Sequence, residues 1–70
     1  MPIELTRRFE QQYMRMSRVI QKKIDKALLL LEKDFRHPGL KSHPIEGAPG
    51  IFEARVDEKY RMTYERHGDR

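Results

Sequence analysis

The chain has no cysteine and no tryptophan, and its longest uninterrupted apolar run is the short Ala27–Leu31. Without cysteine there is no disulfide staple and no thiolate metal site, a usage that fits the cytoplasm, where we place the protein. A membrane span needs roughly 18 or more apolar residues, and no stretch approaches that. Met1-Pro2-Ile3-Glu4 does not open a secretory leader. Two histidines near prolines, His37 and His43, are too few for a metal centre and read as loop-rigidifying residues, so no metal and no cofactor is expected. Neither a glycine-rich phosphate loop nor a nucleophile elbow is present.

Seventy residues make a single domain, 1–70. A chain this short buries only about 60% of its unfolded surface, so stability is expected to be small. The net charge is +4. It is unevenly spread: residues 1–36 hold nine basic side chains against five acidic, and residues 37–70 hold six against six. A basic first half points to a polyanion such as RNA or to an acidic protein partner, and equally to simple solubility.

The chain is organised around residues 51–66. Phe52, Ala54 and Val56 alternate with Glu53 and Arg55, and Tyr60, Met62 and Tyr64 alternate with Arg61, Thr63 and Glu65. Period-2 alternation predicts two half-buried strands, with Asp57-Glu58-Lys59 as their turn. One face of this ribbon is apolar and needs a cover. The other carries Glu53, Arg55 and Arg61 within cross-strand reach, about 5–8 Å, a cluster suited to a phosphodiester. There the arginines would hold the equatorial oxygens and Glu53 would act as base or as an arginine's partner. The competing reading is a surface ion-pair ladder worth little.

The cover comes from the first half. Thr6 is a candidate N-cap for a short helix with Leu5, Phe9, Tyr13 and Met16 on one stripe. Ser17 restarts the pattern, with Ile20, Ile24, Ala27, Leu28, Leu31 and Phe35 on one face. Together they predict a helical hairpin over about residues 6–36. Pro2–Leu5 is a possible short strand. His37-Pro38-Gly39 is expected to end the second helix, with Gly39 at positive φ, and residues 37–50 to be loop tethered by Leu40 and Ile45. The stripe Arg18, Lys22, Lys26 and Lys33 is either a phosphate-docking face or the solvated side of an amphipathic helix, with Leu29 and Leu30 beside it as possible partner contacts. His67-Gly68-Asp69-Arg70 reads as a turn. The fold class is therefore α+β: a helical hairpin on a small antiparallel sheet.

Along nearly its whole length the chain resembles the RelE/ParE superfamily of toxins from type II toxin–antitoxin systems. The likeness is carried by Ile3-Glu4-Leu5-Thr6 and by the leucine run followed by Asp34-Phe35-Arg36-His37-Pro38-Gly39-Leu40. It continues through Glu46-Gly47-Ala48-Pro49-Gly50-Ile51-Phe52-Glu53-Ala54-Arg55-Val56 and Tyr60-Arg61-Met62-Thr63-Tyr64. The resemblance implies helices packed on an antiparallel sheet and ribosome-dependent, metal-independent mRNA cleavage by 2′-OH attack. It implies a cognate antitoxin as partner, with mRNA and ribosome as targets, or DNA gyrase for ParE-like members. It places the family's catalytic arginine on Arg61. The alternating basic positions of the preceding strand fall on Glu53 and Arg55, of which only Arg55 keeps the charge. Arg18, Lys22 and Lys26 are then candidate RNA-binding residues. Family members continue past the Gly-Asp turn into a further strand with more catalytic residues. Here the strand from Lys59 to Arg66 is instead expected to present an unpaired edge and to recruit another chain. The rivals are a non-catalytic binder, either a truncated toxin relic or a gyrase inhibitor, and a basic nucleic-acid-binding helical hairpin.

Overall fold

The computed structural model describes residues 3–66. Two α-helices, α1 (Arg7–Met14) and α2 (Arg18–Lys33), precede a 3-10 turn (Pro38–Leu40) and three strands. The strands are β1 (His43–Pro44), β2 (Ile51–Arg55) and β3 (Arg61–Glu65), antiparallel in the order β1-β2-β3. The fold class is thus α+β, as the alternation and the helical stripes predict. Residues 67–70, where a turn is expected, lie outside the described residues.

Both helix starts follow from their caps. Thr6 and Ser17 are extended, and each side-chain oxygen accepts from an amide three residues on: Phe9 N at 3.0 Å and Ile20 N at 3.3 Å. The helices are tied at their shared corner. The Tyr13 hydroxyl donates to Asp25 Oδ1 at 2.8 Å, and Gln21 Nε2 donates to the Tyr13 carbonyl at 2.9 Å. The bond to Asp25 holds the Tyr13 proton and raises its pKa above that of an ordinary phenol. The two helices contribute unequally to the core. α2 buries Ile24, Ala27 and Leu31, whereas no residue of α1 is fully buried and Phe9 and Tyr13 are half-buried.

Four expectations need correction. First, α2 ends at Lys33, ahead of His37-Pro38. The extended Asp34 stops it, and its Oδ1 accepts from the Arg36 amide at 3.0 Å, a local turn that competes with another helical residue. Second, the left-handed residue after the 3-10 turn is Lys41 (φ 48°), while Gly39 lies inside that turn. Third, the segment between His37 and Gly50 is not all loop, because His43 and Pro44 pair with Glu53 and Phe52. Proline is tolerated there because β1 is an edge strand. Fourth, Ile3–Leu5 forms no strand, although Ile3 packs on the core. Gly47 and Gly50 are the positive-φ glycines, at 82° and 83°, and they turn the chain back from β1 to β2.

The core joins Ala27 and Leu31 of α2, Leu40 of the 3-10 turn, and Ala54 and Met62 of the paired strands. Leu28 and Val56 pack against it half-buried. Phe52 stacks on Tyr64, centroids 5.5 Å apart, directly across the ladder. Leu29 is exposed and Leu30 half-buried against the core.

Candidate functional site

Register decides what the polar face of the sheet can do. Arg55 stands directly opposite Arg61, Glu53 opposite Thr63, and His43 opposite Glu53. The Val56 amide donates to the Tyr60 carbonyl at 3.0 Å, which fixes the phase of the ladder. Alternate pairs are hydrogen-bonded, so Arg55–Arg61 and Glu53–Thr63 are the non-bonded pairs, whose Cα atoms approach to about 4.5 Å. Two guanidinium side chains therefore rise from neighbouring backbone on one face. Like charges directly opposite repel unless an anion lies between them.

The hairpin turn fixes the end of this face. Asp57 Oδ1 accepts from the amides of Lys59 and Tyr60, both at 2.8 Å, and its Oδ2 meets Lys23 Nζ of α2 at 3.2 Å. Partial burial raises the Asp57 pKa, but the two amide bonds and the Lys23 ammonium outweigh it and hold the carboxyl below its usual value. Arg61 closes the same turn. Its Nη1 donates to the Asp57 carbonyl and, at 3.1 Å, to the Tyr60 carbonyl. One edge of that guanidinium is thereby committed to the fold, while the side chain stays exposed.

His43 is the residue that sequence reasoning missed. A loop histidine beside proline gives no signal until β1 pairs with β2. The pairing sets its Nε2 3.5 Å from Glu53 Oε1. Its Nδ1 lies 3.0 Å from the Lys41 carbonyl, an acceptor, so Nδ1 carries the proton and Nε2 faces the carboxylate. His37 stays structural, its Nδ1 accepting from the Gly39 amide at 3.0 Å.

The predicted residues fall into two separate groups. Glu53, Arg55 and Arg61 share the polar face, joined by His43 and Thr63. Arg18, Lys22 and Lys26 are exposed on α2, whose Ala27 and Leu31 cover the opposite, apolar face of the sheet. The helical stripe and the arginine pair therefore lie on opposite sides of the sheet. Among the described residues no cluster of His, Asp or Glu could hold a metal ion, and no helix is long and apolar enough to cross a membrane.

Comparison with protein-family models, curated proteins and solved structures gives no match.

Proposed function

We propose that the chain is a RelE-like toxin, an endoribonuclease that cleaves mRNA on the ribosome and is neutralised by a cognate antitoxin. The single observation that carries this reading is the direct cross-strand opposition of Arg55 and Arg61, two residues along the strand from Glu53 and its neighbour His43. Supporting it is the resemblance that runs along nearly the whole chain.

In this reading the scissile phosphate sits between the two arginines, whose N–H donors meet the non-bridging oxygens as charge builds on them. Glu53, whose Oε1 lies 3.5 Å from His43 Nε2, takes the proton of the attacking 2′-hydroxyl. The new 2′-O–P bond replaces the P–O5′ bond, leaving a 2′,3′-cyclic phosphate and a 5′-hydroxyl that gains a proton. The test is incubation of the purified chain with ribosomes translating a defined mRNA. The expected products are fragments with 2′,3′-cyclic phosphate and 5′-hydroxyl ends, and an intact mRNA contradicts the reading.

A second reading, a non-catalytic binder such as a ParE-like gyrase inhibitor, is favoured by the engagement of Arg61 Nη1 with the turn carbonyls. Inhibition of gyrase supercoiling by a chain that leaves mRNA intact would select it.

A further inference from the structure

We propose that two copies of this chain join edge to edge through β3, in the antiparallel register centred on Thr63. The inference does not rest on the proposed function. Three observations carry it: an open edge, a cavity along that edge, and a sequence that complements itself.

β3 is the last strand in the order β1-β2-β3, so among the described residues one side of it pairs with no strand. The bond from the Val56 amide to the Tyr60 carbonyl sets the phase. Tyr60, Met62 and Tyr64 turn their main-chain groups toward β2, while Arg61, Thr63 and Glu65 turn theirs outward. Unpaired N–H and C=O groups in a row template another strand. The opposite edge is protected, since β1 is only two residues long and one of them is Pro44. β3 has five residues and no proline.

A cavity of about 1230 Å3 runs along this edge. Every residue from Tyr60 to Arg66 lines it. Successive strand residues point to opposite faces, so a cavity touched by all of them opens on the strand's edge. Phe9, Leu28 and Phe35 give it an apolar wall on the helix side. Ile3 packs on the core and pairs with no strand.

The sequence Arg61-Met62-Thr63-Tyr64-Glu65 names the occupant. In the register centred on Thr63, Arg61 of one copy faces Glu65 of the second at both ends of the ladder. Thr63 meets its own equivalent on the two-fold axis. Met62 faces Tyr64 of the second copy on the apolar side, a thioether–aromatic pair. The pairs 61/65, 63/63 and 65/61 are the outward-facing residues, so every free donor and acceptor of the three residues finds a partner on both copies. The neighbouring symmetric registers, centred on Met62 or Tyr64, leave an outward residue unpaired on each copy and lose the Arg–Glu match. The assembly is isologous and closes on itself, joining two three-stranded sheets into one.

The test is sedimentation equilibrium of the full chain and its charge variants. The wild type should be a concentration-dependent dimer. Arg61→Glu sets two carboxylates against each other at both ends of the ladder, and Glu65→Arg sets two guanidinium groups there. Each variant alone should therefore dimerise more weakly by about tenfold. Mixed in equal amounts, the two single variants should dimerise with each other, because the hetero-pair restores opposite charges at both ends. Arg61 also holds the hairpin turn, so Thr63→Lys provides a variant without that role. It places two ammonium groups on the axis and should give a monomer with the wild-type circular dichroism spectrum, whose melting temperature no longer depends on concentration. A wild-type chain that stays monomeric at the highest concentration reached overturns the proposal. Single charge variants that associate as tightly as the wild type overturn it as well. Slow exchange of the Arg61, Thr63 and Glu65 amides in a monomer would mean that something other than a second copy covers the edge, and overturns it too.

Discussion

The two faces of the β2–β3 ribbon are built from the same ten paired positions and serve opposite ends. The apolar face holds Ala54 and Met62, both buried, and is closed by Ala27, Leu31 and Leu40. The polar face holds Arg55 opposite Arg61, a juxtaposition that stabilises nothing by itself. In a chain with so small a core, stability is concentrated on one side of the sheet and charge that works against it on the other. The difference teaches where to look for function: in a fold with little stability to spare, an unfavourable pair on the open face is the place to test for a bound anion.

If that division is right, the largest effects come from the closed face. Leu31 is 2% exposed at the centre of the core. Leu31→Ala should cost about 2–5 kcal/mol, enough to unfold much of so small a domain, and a melting curve unmoved by it would break the comparison. A step smaller is Ser17→Ala, which removes the cap of the helix that covers this face. A loss of roughly 1 kcal/mol in chemical denaturation is expected.

Smaller again is the contribution of Asp57, where the two faces meet at the turn. Its carboxyl is held below its usual value, so the stability it adds is present above the unfolded carboxylate range and is lost as pH falls through the lowered folded value. The melting temperature of Asp57→Asn should lie below that of the wild type at pH 7, and the gap should close progressively below about pH 4. A gap that stays constant with pH would assign the turn to something other than the ionised carboxylate.

Much of this division is legible in the chain. The period-2 alternation of 51–65 assigns each residue to its face, and Thr6 and Ser17 cap the helices as their residue types suggest. Three things are not legible, for physical reasons. Where α2 stops depends on Asp34 preferring a local bond to the Arg36 amide, a competition that apolar periodicity cannot register. The place of His43 depends on a two-residue strand beside proline, too short to show any period. The second duty of Arg61 is a contact made only in the folded turn. Its spacing puts it on the polar face, but only the folded turn shows its guanidinium on the Asp57 and Tyr60 carbonyls. Arg61→Ala should therefore lose roughly 0.5–1.5 kcal/mol in addition to any loss of activity.

The turn that engages Arg61 makes no such demand on Arg55, which makes Arg55 the cleaner probe of the polar face. The most direct measurement is ribosome-dependent mRNA cleavage and thermal unfolding of Arg55→Ala, read on the same preparation beside the wild type. The polar-face account predicts cleavage slower by about 10²–10³, the usual loss for one preorganised donor to a developing oxyanion. It also predicts stability within about 0.5 kcal/mol of the wild type. Wild-type cleavage that persists undiminished in Arg55→Ala would contradict it.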